Sequence, residues 1–288
     1  MKNFCTVADV NFAPRVLALN DSLKKHSSDY TLHLLCLDEE IFGLIKDKNI
    51  QKHSLASLIK ADKMLEMASN NQPSREALIN SKTFEQATRL QFIWSLSAYF
   101  SWYCLDVLGF EDILYIDSDI YFYNDWRIIY DCVEDASVGI VEHRCKYNPA
   151  NGKYNVGVVY FKNDLDGYRC VFSWKNWLLT TGHQYYESHG TCGDQKYLEL
   201  FPSLFDNVLI LDQFIGHLAP WNFLYHEYKQ DKIIWQDTEQ ELLYCHFSNF
   251  KLTADGYVLA ARHGFNSPPN EYIQNISEEY HQKLREYK

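Results

Sequence analysis

The chain has 288 residues, of which 47% are hydrophobic, so it can bury a large core, and one sizeable α/β domain fits it better than two small ones. Its net charge of -11 argues against nucleic acid or an anionic membrane as a partner held by bulk electrostatics, and an anionic ligand would need a local cation. The aromatic content of 16% is compatible with sugar-stacking surfaces, although aromatic side chains more often fill cores.

The cysteines and the N-terminus indicate the cellular compartment of the protein. The eight cysteines include no pair at the spacing of zinc or thioredoxin motifs, which is typical of buried thiols in a reducing environment. The first ten residues lack the apolar run and cleavage site of a signal peptide, so we expect a cytoplasmic protein. The segment from Phe92 to Phe110 is poor in charge but contains three serines and Asp106, and we interpret it as a core helix and not a membrane span.

The chain opens with a β-α-β pattern. Phe4 to Ala8 is a predicted strand, Pro14 opens a helix, and Thr31 to Leu37 is a second strand, which predicts right-handed parallel pairing. Asp9 and Asn11 lie at the first crossover, where side chains of an open sheet can bind the base or ribose of a nucleotide. Helix capping before Pro14 explains them equally well.

The next segments are helical. From Glu39 to Lys82 the pattern is helical but irregular, and Thr83 to Phe100 has strong helical spacing. Arg89 lies within that apolar helix, where a charge is costly unless a carboxylate or phosphate pairs with it. The alternative is a surface arginine at the edge of the helix.

A buried strand is followed at once by two carboxylates. Ile113 to Ile116 is apolar, and Asp117, Ser118 and Asp119 then interrupt the run. Side chains two apart on a strand share one face, about 6.5 Å apart at the backbone, so both carboxylates can reach one hard divalent cation. The alternative is a solvated Asp/Ser turn.

The second half carries several polar positions at the ends of predicted elements. Asn155 begins the strand Val156 to Phe161, and the absence of a side chain at Gly157 allows a ligand to approach; a turn glycine is the alternative. Asp194 and Gln195 open a helix, for which Asp194 is a sufficient N-cap. The other predicted elements are the strands Val138 to Val141, Val208 to Leu211 and Leu242 to Phe247, and the helices Asp166 to Thr180 and Ile276 to Tyr287.

Six short motifs follow one another at domain-scale spacing. They are "ADVNF", "ATRLQF", "YIDSDIYFY", "NVGVVYF", "GDQKYL" and "HFSNFK". In this order they resemble the glycosyltransferases of GT-A fold, and most of all family 8 and its bacterial relatives. The resemblance runs from the first strand to about Lys251. It implies a Rossmann-like α/β fold with a central, mostly parallel sheet flanked by helices, forming a single GT-A domain over residues 1–265, with a turn and a helix over residues 266–288.

The resemblance also implies roles for particular residues. Positions that match donor-binding residues of the family are Ala8, Asp9, Asn11, Arg89, Ser118 and Asn155. Asp117, Asp119 and His246 match the ligands of Mn2+ or Mg2+, and this ligand set suits Mn2+ because that ion accepts both oxygen and nitrogen. Asp194, Gln195 and Arg89 match residues near the transferred sugar, where we expect the catalytic groups.

The implied reaction is metal-dependent transfer of a hexose, by default from a UDP-sugar, to a saccharide, lipid-linked oligosaccharide or glycoprotein acceptor, with retention of configuration. An inverting reaction would need a carboxylate base, for which Asp194 and Glu187 are available. His217 and Trp221, in the loop Gly216 to Asn222, are expected acceptor contacts because an indole face can stack on a sugar.

Two further alternatives remain open from the sequence. A haloacid-dehalogenase-like phosphohydrolase also has an Asp-x-Asp motif, but normally nearer the start of the fold. A non-catalytic carbohydrate-binding protein would keep the aromatic surface without needing the acidic pair and the histidine together. We predict no transmembrane segment and at most peripheral membrane contact, through Lys283, Arg285 and Lys288.

Overall fold

The fold is organised around a central seven-stranded sheet. The computed structural model describes residues 1–73, 75–148, 151–181, 193–230 and 232–288. The strands in these ranges are β1 (Lys2–Ala8), β2 (Tyr30–Cys36), β3 (Ile50–Ser54), β4 (Asp112–Ile116), β5 (Ile120–Phe122), β6 (Val138–Glu142), β7 (Tyr154–Lys162), β8 (Val208–Ile210), β9 (Gly216–Leu218), β10 (Glu227–Lys229), β11 (Lys232–Trp235), β12 (Thr238–His246), β13 (Lys251–Leu252) and β14 (Tyr257–Val258).

Helices cover both faces of this sheet. The α-helices of the described ranges are α1 (Ala13–Lys24), α2 (Glu39–Leu44), α3 (Leu55–Ala61), α4 (Lys63–Ala68), α5 (Arg75–Ile79), α6 (Phe84–Asp106), α7 (Arg127–Cys132), α8 (Leu165–Asn176), α9 (Phe201–Leu204) and α10 (Glu271–Glu286). A π-helical turn, Trp177–Thr181, extends α8. Short 3-10 helices include Val10–Phe12, Gln195–Leu200 and Ala261–His263.

The central sheet is mostly parallel, as the sequence predicts. Its strand order is β3-β2-β1-β4-β7-β6-β8, with β7 antiparallel to both of its neighbours and the other pairs parallel. The strand β3 lies where the sequence predicts only irregular helix, so that part of the prediction is wrong. Because β1 and β4 are parallel neighbours, their carboxyl ends meet at one edge, where open sheets bind ligands.

The core has one layer on each side of the sheet. Along β4, Leu114 and Ile116 pack with α1, whereas Ile113 and Tyr115 pack with α6 and α8. This alternation follows from the two-residue period of a strand. Full burial of each large apolar side chain contributes about 1.5–3 kcal/mol. The helix α6 begins at the cap residue Thr83, whose hydroxyl accepts from the Gln86 amide at 3.1 Å.

The predicted core helix is correct, since α6 covers most of the charge-poor segment and ends at Asp106. Its buried side chains pack on the sheet. Among the described residues, no helix is long and apolar enough to cross a membrane.

A second, smaller sheet pairs a strand from the middle of the chain with strands from its last third. Its order is β10-β11-β12-β5, and β9 pairs with β12 in parallel. The strand β12 runs antiparallel to β5, with His246 opposite Ile120. The C-terminal helix α10 packs on this region, where Tyr280 stacks on Phe247 with ring centroids 4.1 Å apart. The helix begins at Glu271, before the predicted Ile276, because Asn270 caps it.

Candidate functional site

The acidic pair follows β4 directly. The Asp117 amide donates to the Gly157 carbonyl on β7 at 2.9 Å, and the Ile120 amide donates to the Asp117 carbonyl at 3.1 Å. The chain therefore turns at this point, and both Asp117 and Asp119 line a cleft. The Tyr115 hydroxyl, two residues earlier on the strand, donates to Asp117 Oδ1 at 2.8 Å and holds that carboxylate.

His246 completes a three-residue cluster. The pairing of β12 with β5 places its Nε2 3.0 Å from Asp119 Oδ1 and 3.6 Å from Asp117 Oδ2. One ligand atom from each of the three residues lies within 4.8 Å of the other two. Carboxylate oxygens and an imidazole nitrogen at this spacing fit a single divalent cation that accepts both kinds of ligand.

The three side chains shift one another's protonation. Burial raises the pKa of Asp117 despite the attraction of His246. Burial alone would raise the pKa of Asp119 too, but the charge and hydrogen bond of His246 lower it. Burial alone would lower the pKa of His246, and the two carboxylates raise it instead. The two carboxylates thus stabilise a positive charge between them, as the ligands of a metal site do.

Gly157 makes room for the histidine. A Cβ at this position would lie 2.7 Å from both His246 Nδ1 and Asn155 Oδ1. The sequence predicts that the missing side chain admits a ligand, but the group that approaches Gly157 is the His246 imidazole. Only glycine permits this contact, since real Cβ atoms do not come closer than about 3.0 Å to other heavy atoms.

Asp194 does not cap the helix that it precedes, so the predicted N-cap is wrong. Its Oδ2 instead accepts a hydrogen bond from the Ser97 hydroxyl of α6 at 2.9 Å, and its carbonyl accepts from Trp174 Nε1 at 3.2 Å. Burial and the nearby charge of Asp117 raise the pKa of Asp194 to about 7. The carboxyl group is therefore buried on the cleft wall, with a pKa suited to proton exchange near neutrality.

Asn155 and Gln195 lie beside Asp194 on the same wall. Asn155 Nδ2 is 3.5 Å from Gln195 Oε1, and Asn155 Oδ1 accepts from the Gly157 amide at 2.9 Å. All three polar side chains line the cleft. The structure therefore brings together residues from β7 and from the segment after residue 192, which are far apart in sequence.

The end of β1 forms the opposite part of the cleft. Ala8 and Asp9 line it, as does Ser118 from the acidic turn. Asp9 caps the 3-10 helix by accepting from the Asn11 amide at 3.0 Å, and the Asn11 side chain is exposed outside the lining. Arg89 pairs with Asp9 over 3.9 Å but has 62% of its side chain exposed, so it is a partly paired surface arginine rather than a buried one.

The cleft as a whole has a volume of about 570 Å³. Apolar side chains such as Val7, Leu90 and Trp94 contribute to its lining together with the polar groups above. A cleft that combines apolar side chains with convergent polar groups is the usual form of a small-molecule site.

Comparison with known proteins identifies the architecture. The chain is 25% identical over 265 residues to the uncharacterized protein YfnF of Bacillus subtilis (strain 168), covering 87% of this chain and 82% of that protein. No family model matches it. Its structure is similar to the galactosyltransferase LgtC in complex with donor and acceptor sugar analogues, with a TM-score of 0.56 and 13% identity over 99% of this chain and 95% of that one.

A second solved structure agrees. Mouse xyloside xylosyltransferase 1 in its apo form gives a TM-score of 0.55 and 14% identity over 86% of this chain and 97% of that one. The chain has the GT-A fold. The predicted fold class is thus confirmed, and the cluster of Asp117, Asp119 and His246 lies at the edge of the GT-A sheet where β1 and β4 end.

Histidines surround an indole on the far wall of the GT-A cleft. Trp221 packs edge-on against His246, His143 and His263, with ring centroids 5.2, 5.5 and 5.8 Å apart. Its buried Nε1 has no hydrogen-bond partner among the described residues. Trp221 lines the cleft beside the cluster, and its role as an acceptor contact stays a prediction.

His217 lies elsewhere and is not part of the cleft lining of the described residues. It is buried, its Nε2 is 3.0 Å from Asp212 Oδ1, and its ring stacks on Tyr244 with centroids 5.5 Å apart. It lies on β9, within the second sheet, and the strand pairing turns it into the protein. The structure therefore does not support His217 as an acceptor contact.

A buried ion pair supports the wall that carries Trp221, and the sequence analysis missed it. Arg144, whose side chain is fully buried, donates through Nε to Asp212 Oδ1 at 2.7 Å and through Nη1 to Gln240 Oε1 at 2.9 Å. Asp212 Oδ2 accepts from the Glu142 amide at 2.7 Å. The Arg144 pair joins β6, β12 and the turn before β9, and it fixes the neighbouring His143 against the cleft.

Proposed function

We propose that the protein is a metal-dependent glycosyltransferase that moves a hexose from a nucleotide-diphosphate sugar to a saccharide or glycoconjugate acceptor. The observation that carries the proposal is the convergence of Asp117, Asp119 and His246 on the cleft of a GT-A fold. The solved structures that the chain resembles are glycosyltransferases. The fold therefore favours a transferase over the phosphohydrolase alternative.

The acidic pair and the histidine would hold Mn2+, or Mg2+ as the alternative. The mixed oxygen and nitrogen ligands support Mn2+. When bound, such a cation supplies the positive charge that stabilises the diphosphate leaving group. Tyr115 orients one of the ligands through its 2.8 Å hydrogen bond to Asp117, which is the usual role of a residue behind a metal ligand.

The remaining cleft residues divide between the two ends of the donor, for which a UDP-sugar is our proposal. Asp9 and the end of β1 at Ala8 would bind the base and ribose, with Arg89 holding the Asp9 carboxylate. Of the two other predicted donor-binding residues Ser118 and Asn11, only Ser118 lines the cleft. Hydroxyl groups of a ribose suit a carboxylate acceptor that is already fixed by a backbone amide.

The sugar end of the donor would lie against Asn155, Asp194 and Gln195. Their amide and carboxyl groups line the cleft within hydrogen-bonding reach of one another or of Ser97. Such groups can orient a hexose by accepting from and donating to its hydroxyls. Asp194, with its raised pKa, would exchange a proton with a sugar hydroxyl or with the acceptor.

The acceptor would bind beside Trp221. An indole on a cleft wall can stack on a sugar ring. A lipid-linked oligosaccharide is one acceptor class, with a saccharide or glycoprotein as the others. Within α10, Lys283 already pairs with Glu286 at 2.7 Å and Asp21 at 3.4 Å, so its charge offers little to an anionic membrane.

We propose retention of anomeric configuration, on the strength of the resemblance. An inverting reaction would need a carboxylate base other than the metal ligands. Asp194 is available in the cleft, and Glu187, the other residue considered, lies outside the described residues. Proton NMR of the product anomer separates the two outcomes.

The experiment that tests the function is nucleotide release. The purified protein with Mn2+ is incubated with UDP-, GDP-, CMP- and TDP-sugars, and free nucleotide is measured. Asp119→Asn removes a ligand charge at constant size, and Asp135→Asn, on the exposed surface, is the matched control. We expect metal-dependent release from one donor, lost in Asp119→Asn and kept in Asp135→Asn. No release and no thermal shift with any nucleotide would refute the transferase and favour the carbohydrate-binding alternative.

A further inference from the structure

The described lining of the cleft is strongly acidic. The carboxylates on it are Asp9, Asp117, Asp119 and Asp194, and Arg262 is the one lysine or arginine among the described lining residues. Among the described lining residues, a polyanionic ligand would therefore meet a single permanent side-chain cation.

Arg262 shares a wall with the metal cluster. It belongs to the 3-10 helix Ala261–His263, and the ring of the next residue, His263, packs against Trp221 with centroids 5.8 Å apart. Trp221 in turn packs edge-on against His246 at 5.2 Å. The positive charge of Arg262 and the repulsion of His246 add to burial in lowering the pKa of His263, which is consistent with their closeness.

The partner of Arg262 is neutral and comes from a distant part of the chain. Its Nη2 donates to Asn80 Oδ1 at 2.6 Å, and the two residues are 182 positions apart in the chain. Asn80, in the link between α5 and α6, also lines the cleft. None of the ion pairs formed among the described residues includes Arg262, so no described carboxylate pairs with its charge.

A guanidinium binds a phosphate more strongly than it binds a neutral amide. Its planar fork donates two parallel hydrogen bonds to two phosphate oxygens, and such charge-assisted bonds are roughly twice as strong as neutral ones. Asn80 occupies one nitrogen with a bond that a phosphate oxygen can replace at a net gain. By contrast Lys251, five residues after His246, has an exposed side chain outside the lining.

We propose that Arg262 binds the diphosphate of the donor, and that Asn80 holds the guanidinium by its hydrogen bond until the donor arrives. The inference rests on the proposed function, and it names a contact that the acidic cluster does not provide. It places one fixed cation and one bound metal on the same diphosphate, which together offset the surrounding carboxylates.

The test separates binding of the diphosphate from binding of the nucleoside. Wild-type protein with Mn2+ is titrated calorimetrically with UDP, GDP and TDP, and the tightest binder and its nucleoside are then titrated into three variants. Arg262→Gln removes the charge, Arg262→Lys keeps the charge without the fork, and Arg169→Gln removes an exposed arginine of α8 as the matched control. Thermal unfolding checks that each variant is folded.

We expect Arg262→Gln to raise the Kd of the nucleoside diphosphate about 10- to 100-fold, as loss of a charge-assisted hydrogen bond does, and to leave the nucleoside unchanged. The Kd of Arg262→Lys should lie between those of Arg262→Gln and wild type, and the Kd of Arg169→Gln should match that of wild type. Equal weakening of nucleoside and diphosphate, or wild-type binding by Arg262→Gln, would overturn the inference while leaving the transferase intact. A wild-type protein that binds none of the three diphosphates would refute the proposed function and this inference with it.

Discussion

Substituting alanine at Gly157 tests the geometry of the cluster without touching a ligand atom. The glycine amide and carbonyl, which bond Asn155 and Asp117, are kept in the variant. The added Cβ would lie 2.7 Å from His246 Nδ1 and 2.8 Å from His246 Cε1. The new methyl group therefore pushes on the Nδ1–Cε1 edge of the imidazole, whose Nε2 contacts Asp119.

The magnitude follows from the distances. Ordinary contact begins at 3.4 Å, so the imidazole has to retreat by about 0.7 Å if the backbone stays in place. Metal–ligand distances tolerate about 0.2 Å. Displacing a ligand in this way is expected to weaken metal binding about 10- to 100-fold, the range seen when residues behind a metal ligand are changed. Overpacking should also cost about 1–3 kcal/mol of folding stability.

The assay is calorimetric titration with Mn2+, accompanied by urea unfolding. Gly43→Ala is the control, because its Cβ would meet no atom within 4 Å and Gly43 lies in α2. We expect Gly157→Ala to fold but to bind Mn2+ at least 10-fold more weakly, and Gly43→Ala to bind as wild type. Wild-type Mn2+ affinity in Gly157→Ala would refute the assignment of His246 as a ligand held by this contact.

Two further predictions concern stability. Asp212→Asn leaves Arg144 buried without its counterion, so the free energy of unfolding at pH 7.5 should fall by about 3–5 kcal/mol in urea titrations, while Asp135→Asn should stay within about 0.5 kcal/mol of wild type. Burial and His53 lower the pKa of His33 to about 3, so the unfolded chain binds a proton at this histidine more readily than the folded protein does. The stability that neutral His33 contributes is therefore lost as pH falls from about 6.5 towards 3. Between pH 7.5 and 5.0 it should account for about 2 kcal/mol of lost stability, and a loss that is just as large in His33→Gln would contradict this.

The stability that Asp212 contributes is also lost at low pH. Burial alone would raise its pKa, but the hydrogen bond from His217 and the charge of Arg144 lower it to about 2. The folded state therefore holds the ionised form more strongly than the unfolded chain does. The resulting stability is fully present above about pH 4 and is lost as pH falls towards 2.

The sequence predicts the acidic pair better than its partners. Asp117 and Asp119 are visible because an apolar strand ends abruptly in carboxylates, and that signal is local. His246 follows only from the resemblance, because its position depends on pairing between β12 and β5, about 120 residues apart and with β5 only three residues long. Strands this short show no clear two-residue period.

Other contacts cannot be predicted from the sequence, for a different reason. Asp194 has the residue type and position of an N-cap, and nothing local indicates that Ser97 of a distant helix takes its carboxylate. Arg144 is charged and would ordinarily be placed on the surface, whereas the fold buries it in a left-handed conformation with φ of 53°. A charge pattern predicts a buried pair only when both partners are close in sequence, as Arg144 and Asp212 are not.

The register of β12 determines whether the third ligand exists. This strand is held on one side by β5 and on the other by β9, where Gly216 lies so close that a Cβ would come within 2.2 Å of the Glu241 carbonyl oxygen. Sliding β12 by one residue would turn His246 to the opposite face and bring Cys245 towards Asp119. The hairpin turn that precedes it, residues 236–237, can change length without this effect. The cluster thus tolerates variation in loop length far better than a single inserted residue within the strand.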